Sequence, residues 1–274
     1  MSYVSLMVHV DVDGELSPRV TIAAGLADRF RAHLIGVAAW APVPGFLTEG
    51  APGRMNSSVP GLQHMKDTLD KKGEEFRVAV GKDGRQVEWR SALDFPAEVL
   101  AREARASDIV IVGNKLENPD PFRALDPGAF LLKAGRPVLV VPEAITSFSA
   151  KRIAIAWKDV REARRAVRDA LPFLQQAETV AVIGISEMNE RGQASDHLQD
   201  VAGYLTRHGI EAVAVRMKPA EGTVAESLLR AVHDEDADLI VAGAYGHSRL
   251  GEWVFGGVTR DLLAEGSVCC LLSH

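Results

Sequence analysis

The chain has 274 residues, 47% of them hydrophobic and 25% charged, and its formal net charge is −6. This is the composition of a globular protein with room for two domains of ordinary size. The negative charge disfavours nucleic acid and anionic membranes as partners, because both need a basic surface, and no apolar run approaches the roughly 20 residues of a membrane span.

The N-terminus, MSYVSLMVHVDVDGE, begins with a strand pattern rather than with a signal peptide. It lacks a basic leader, and His9 and Asp11 interrupt its apolar run, so we expect a cytoplasmic protein. The two cysteines, Cys269 and Cys270, agree with a reducing compartment. Neighbours on a strand point to opposite faces, so a disulfide between them would be strained, and we expect buried free thiols.

The sequence repeats itself once. In each half an apolar strand comes first, a helix that opens with Ala-Glu leads into a strand closing on glycine, and a further apolar strand comes last. The matching segments are 3–11 and 151–159, 96–114 and 224–244, and 136–142 and 267–273. We therefore expect two domains, residues 1–145 and 150–274.

Strands and helices alternate within each half. Nearly unbroken apolar strands such as DIVIVG and DLIVAG indicate a parallel sheet that is covered on both faces, and the alternation indicates a doubly wound α/β layer. In the second half we expect strands at 152–157, 178–185, 210–217, 238–243 and 268–272. The first half has one irregular stretch, the Pro-, Gly- and Ser-rich residues 41–61, which we interpret as a long loop that is either a lid or a tolerated insertion.

The segment GAYGHSRLGEWVFGGVTR (243–260) follows a strand and leads into the last helix. Glycines let the backbone approach a ligand closely, and the first amides of a helix are unpaired donors that favour an anion. His247 and Arg249 would add a donor and a positive charge. The spacing is neither a Walker loop nor a dinucleotide fingerprint. Two interpretations stay open: a phosphate cradle, or a glycine-rich turn without a ligand.

The spacing Gly243-x2-Gly246-x9-Gly256 resembles the G-x2-G-x9-G-(S/T) motif of the universal stress protein family, and both halves are similar to that domain in their order of elements. The resemblance implies an α/β fold of the adenine nucleotide alpha hydrolase type. It consists of two doubly wound, five-stranded parallel sheets in tandem, each with strand order 3-2-1-4-5, paired through their fifth strands as an intramolecular pseudo-dimer. It also implies a stress-response role and the binding of ATP or AMP, with Mg²⁺ accompanying ATP. The nucleotide-binding residues that follow are Trp157, Ile185, Ala242, Gly243, Gly246, His247, Arg249, Gly256, Gly257 and Val258.

The second half departs from the family motif at two positions. Gly257 stands where the family offers a Ser or Thr hydroxyl, so only the backbone amide remains as a donor. In the family an Asp usually ends the first strand and meets the adenine, and we predict that Trp157 occupies this position. Three roles stay open for Trp157: stacking on the base, filling the pocket, or filling the core. For Ile185, a contact with the base and a place in the core are equally open.

The first half departs in the opposite way. Asp11 supplies the acid at the end of the first strand, but the glycine loop is absent. Leu116 and Leu125 are read as standing in place of Gly246 and Gly256, and Glu117 and Asp120 bring negative charge to the phosphate side. We therefore expect at most one nucleotide in each chain, bound in the C-terminal half.

No residue pattern indicates a catalytic nucleophile or base, and no spacing of His and Cys indicates a metal site. Three functions remain: a nucleotide-sensitive regulatory or interaction module, a scaffold that works without nucleotide, and a slow ATPase. The sequence identifies no protein partner. It also leaves open whether the tandem chain forms a homodimer.

Overall fold

The computed structural model describes residues 2–13, 15–43, 60–81, 84–114, 120–185, 193–217, 223–244, 257–265 and 267–274. Its strands are β1 (Ser5–His9), β2 (His33–Ala39), β3 (Val87–Ala92), β4 (Ile109–Gly113), β5 (Val138–Val141), β6 (Arg152–Trp157), β7 (Thr179–Ile185), β8 (Val213–Met217), β9 (Leu239–Gly243) and β10 (Cys269–Ser273). Its helices are α1 (Pro18–Phe30), α2 (Pro60–Val80), α3 (Pro96–Glu103), α4 (Pro127–Lys133), α5 (Arg161–Asp169), α6 (Leu171–Leu174), α7 (Gln193–Arg207), α8 (Val224–Asp234) and α9 (Gly257–Glu265). The predicted loop 41–61 lies mostly outside the described residues.

The strands form one continuous sheet in the order β3-β2-β1-β4-β5-β10-β9-β6-β7-β8. Each half therefore has the predicted order 3-2-1-4-5, and its own strands are parallel. The halves meet where β5 and β10 pair antiparallel, with Leu139 opposite Leu271. This pairing buries two strand edges that water would otherwise reach, and it confirms the predicted pairing of the fifth strands.

The strand registers correct the alignment of the two halves. Ile109 and Leu239 lie four residues before the glycines that end β4 and β9, and they pair with Leu6 and Ile153. Four residues further on, Trp157 therefore corresponds to Val10. The acid Asp11 corresponds to Lys158, so the prediction that Trp157 holds the place of the acid was wrong.

The registers of β5 and β10 likewise shift the alignment of the residues before these two strands by one position. Val138 pairs with Val110, and Cys270 pairs with Ile240, three residues before the end of β4 and β9 respectively. Counting back 13 residues from Val138 and from Cys270 sets Leu125 opposite Gly257, and not opposite Gly256 as predicted. Short apolar strands tolerate such a shift in an alignment of sequences, whereas hydrogen-bonded pairing allows one register.

Two hydrophobic cores cover the two faces of the sheet. One, the α1/α5 face, carries α1, α2, α5, α6 and α7. The other, the α4/α9 face, carries α3, α4, α8 and α9. Successive residues of a strand point to opposite faces, so Cys269 packs on the α1/α5 face and Cys270 on the α4/α9 face, as predicted. Burial raises the pKa of both thiols, that of Cys270 to about 12.

The α1/α5 face joins the two halves through an aromatic cluster. Phe30 of α1 and Phe173 of α6 have their ring centroids 5.3 Å apart, and Tyr3 packs edge-on against both. The Tyr3 hydroxyl donates a hydrogen bond of 2.6 Å to the carbonyl of Asp169. The halves thus share a core. Among the described residues, no helix is long and apolar enough to cross a membrane.

Candidate functional site

The predicted site lies at the carboxyl edge of the C-terminal half, where ligands bind in open α/β sheets. Ile185 ends β7, Ala242 and Gly243 end β9, and α9 begins with Gly257 and Val258. Ile185, Ala242 and Val258 all belong to the α4/α9 face. The remaining predicted loop residues, Gly246, His247, Arg249 and Gly256, lie outside the described residues.

Gly243 allows α5 to pack directly on the end of β9. A Cβ at this position would lie 2.6 Å from the backbone carbon of Glu162, so any side chain would push the helix away. The helix lies this close because the connection from β6 is short: Trp157 ends the strand and Arg161 begins α5, which leaves three residues between them. In the N-terminal half, His9 and Pro18 are separated by eight residues.

Alanines line the α4/α9 side of this edge. Ala156, Ala242 and Ala244, which we call the alanine floor, follow one another across β6 and β9. The corresponding residues of the N-terminal half are His9, Val112 and Asn114. The C-terminal half therefore has the smaller side chain at each of these three positions.

Gly257 stands at the first position of α9 with open space around it. A Cβ built there meets no atom within 4 Å, and the backbone is not in the left-handed region. A serine would therefore fit without strain. Glycine at 257 leaves the start of the helix reachable by a ligand, while it forgoes the hydroxyl that the family motif offers.

Trp157 lies on the other side of the sheet. Its ring packs against the core of the α1/α5 face, whereas Ile185, Ala242 and Val258 belong to the α4/α9 face. Its Nε1 is buried and has no hydrogen-bond partner. Of the three roles that the sequence leaves open, this placement favours core filling, because the sheet separates the ring from the alanine floor.

The N-terminal half fills its equivalent edge with Arg19. This side chain, 4% exposed, occupies the position of a Cβ at Gly113. Its Nε donates to the carbonyl of His9 at 2.9 Å, and its Nη2 pairs with Asp11. The acid predicted to meet an adenine thus binds an arginine of the same chain. Burial, reinforced by the charge of Arg19 and opposed by that of Asp11, lowers the pKa of the buried His9 to about 4.

A turn covers the same edge from above. Arg123 donates to Asp120 at 2.6 Å and to Asp13 at 3.0 Å, and its guanidinium lies 5.2 Å from the ring centroid of Trp40. The Phe122 carbonyl accepts a hydrogen bond of 2.6 Å from the amide of Ala41. The negative charge that Asp120 was predicted to bring to this side is therefore paired with Arg123. Leu116 and Glu117 lie outside the described residues.

Helix α4, the counterpart of α9, begins with its donors already used. The carboxylate of Asp126 accepts hydrogen bonds from the amides of Gly128 and Ala129, at 2.9 and 3.1 Å. Pro127, the first residue of the helix, has no amide hydrogen. These contacts satisfy the donors that a phosphate would need.

Sequence reasoning missed Arg19 and the alanine floor. A correct register would have revealed the floor, since Ala156 then aligns with His9, but the alignment was shifted by one residue. No local pattern marks Arg19, because its partners are the carbonyl of His9 and a carboxylate eight residues away. Among the described residues, no group of three or more His, Cys, Asp or Glu could hold a metal ion.

Comparison with known proteins gives a family for the C-terminal half and a fold for the whole chain. Residues 149–273 match the model of the universal stress protein family. The chain superimposes on a universal stress protein from Archaeoglobus fulgidus DSM 4304 with a TM-score of 0.68 at 13% identity, covering 98% of this chain and 95% of the other. A functionally unknown protein from Pseudomonas aeruginosa PAO1 gives a TM-score of 0.61 at 15% identity over 99% and 92% of the two chains. No curated protein matches the sequence.

Proposed function

We propose that the chain binds one adenine nucleotide, ATP or AMP. The premise is that its C-terminal half matches the universal stress protein family and that its N-terminal half repeats the same fold. The nucleotide lies at the carboxyl edge of the C-terminal half. Its binding tunes the interaction of the chain with a protein partner in the cytoplasm during stress. The domain limits proposed for the two halves remain 1–145 and 150–274.

The difference between the two edges carries this proposal. At corresponding positions the C-terminal half has Ala156 where the N-terminal half has the buried His9. On the α1/α5 face the two edges are both filled, by Arg19 at Gly113 and by the backbone of α5 at Gly243. The proposal therefore depends on the smaller side chain at position 156 on the α4/α9 face.

We propose that the ligand occupies two regions of this edge. The base lies against Ile185 and the alanine floor, where Ile185 and Ala156 are only partly buried. The phosphates lie at Gly246 and at Gly256–Val258, where unpaired amides at the start of α9 and the helix dipole attract an anion. His247 and Arg249 add a donor and a charge, and Mg²⁺ accompanies ATP. Trp157 then contributes to the core of the α1/α5 face and does not contact the base.

Calorimetric titration of the full chain with ATP and with AMP tests the proposal. The full chain is needed because Tyr3, Phe30 and Phe173 join the halves in one core. We expect one nucleotide per chain. Gly246→Val should abolish binding, because a branched side chain would occupy the space of the phosphates.

A second pair of variants examines the floor. Ala156→His restores the residue of the N-terminal half and should weaken binding roughly 10- to 100-fold, as overfilling a packed site costs about 1–3 kcal/mol. Ala156→Ser keeps the size of the residue and serves as the control. Equal affinities of the two variants would contradict the proposed position of the base.

The full chain and its Gly246→Val variant also test two other functions. A scaffold that works without nucleotide would give no binding heat with either ligand, and no nucleotide would be found by mass spectrometry of the purified protein. A slow ATPase would release phosphate at a rate that Gly246→Val abolishes.

A further inference from the structure

The two ends of the ten-stranded sheet differ in charge. The edge strands are β3 and β8, which occupy corresponding positions in the two halves. On the α4/α9 face, Glu88 and Arg90 of β3 pair in register with Ile35 and Val37. The corresponding residues of β8 are Val213 and Val215, which pair with Ala181 and Ile183. Charged residues at one end of the sheet are thus replaced by valines at the other.

The charges of β3 form a network that protects its edge. Arg90 donates to Glu88 at 2.7 Å and to Glu103 at 2.8 Å, and Arg105 reaches Glu103 at 3.2 Å. The hydrogen bond to Arg90 holds the pKa of Glu88 below its usual value. Another strand that paired with β3 would have to desolvate these charges, which is how native sheets prevent edge-to-edge association.

The apolar side chains of β8 lack such protection. Val213 is 67% exposed, and Val215 and Met217 are only partly covered by the core of the α4/α9 face. The outer side of β8 has no strand beside it in the described part of the chain, and its charged residue, Arg216, is exposed on the opposite face. A strand that ends a sheet and is apolar on one face invites a further strand.

We propose that β8 is an interface between two copies of this chain, paired antiparallel through a two-fold axis. The strand is self-complementary. Pairing centred on Val215 sets Val213 opposite Met217 and Ala214 opposite Arg216, so no two like charges lie directly opposite each other. The chain already uses antiparallel pairing of equivalent strands between its halves, where Leu139 lies opposite Leu271.

The charged end explains why such pairing stops at a dimer. A chain with two unprotected edges would add further copies and form an open fibre, whereas one unprotected edge gives a closed, two-fold assembly. The network of Glu88, Arg90 and Glu103 blocks the other end. In the dimer one continuous sheet contains four halves, joined by β5 and β10 within each chain and by the two β8 strands between the chains. This dimer does not depend on the proposed nucleotide.

Sedimentation velocity of the full chain over a dilution series tests the proposal. We expect a reversible equilibrium between monomer and dimer. Val213→Glu, which introduces the residue of the charged end at an exposed position, should raise the dissociation constant about tenfold or more, because pairing would bury a charge. Val78→Glu is the matched control, since Val78 is 84% exposed on α2, far from β8 in the sequence.

Spin labels locate the contact independently. A label on Val213→Cys should report a neighbour across the two-fold axis, with the two Cα atoms within about 15 Å. Cys269 and Cys270 are buried and do not compete for the label. A chain that stays monomeric at every concentration overturns the proposal. The proposal is also overturned if Val213→Glu does not weaken the dimer or if Val78→Glu weakens it equally. A dimer in which the two labels at position 213 are not close together overturns it as well.

Discussion

Replacing Gly257 by serine restores the hydroxyl of the family motif at the start of α9. Because a Cβ at this position meets no atom within 4 Å, the change costs no packing. A hydrogen bond from the new hydroxyl to a charged phosphate contributes about 1.5–3 kcal/mol. We therefore expect Gly257→Ser to tighten ATP binding roughly 10- to 150-fold.

Gly257→Ala separates the hydroxyl from the other effects of the change. Both variants add a Cβ and remove a glycine from a helix, which stabilises the helix by up to about 1 kcal/mol. Calorimetric titration with ATP should therefore show a gain for serine and little change for alanine, and adenosine, which lacks phosphate, should bind all three proteins alike. Equal ATP affinities of the serine and alanine variants, or an equal gain with adenosine, would refute the placement of phosphates at α9.

Two further predictions concern stability. The pKa of His9 is about 4 in the folded chain, whereas its ordinary value is 6.5. Because the folded value is the lower one, the unfolded chain takes up the proton first as the pH falls. The free energy of unfolding therefore decreases as the pH drops from about 6.5 towards 4. Urea unfolding should show a loss of about 2 kcal/mol between pH 7 and pH 5 that His9→Gln removes, and an unchanged pH dependence in the variant would contradict the buried neutral imidazole. Phe173→Ala opens a cavity between the halves and should cost about 3–5 kcal/mol in the same assay, whereas a transition that splits into two independent steps without this loss would show that the halves do not share a core.

The sequence predicted the fold more fully than the site. Apolar strands such as those ending at Gly113 and Gly243 mark both halves, and the internal repeat predicts two similar layers whose last strands need partners. The glycine spacing predicted a ligand loop in the C-terminal half only, and this stays a prediction. Trp157 was predicted to lie at the site because the first strands of the two halves were aligned one residue out of register, and a shift of one residue moves a side chain to the opposite face of a sheet.

The class of fold, the duplication and the resemblance to the family can be predicted from the sequence, because they depend on periodic burial and on glycine spacing, which are local along the chain. The residues that fill the carboxyl edge of the N-terminal half and those that protect one end of the sheet become visible only in the folded chain. Arg19 lies before Gly113, and Ala156 corresponds to His9, through contacts and registers between distant segments. Charge at β3 and apolar character at β8 likewise become comparable only when pairing places Arg90 and Val215 at the same position. Such properties follow from which strand lies beside which, and pairing between segments far apart in the chain leaves no pattern within either one.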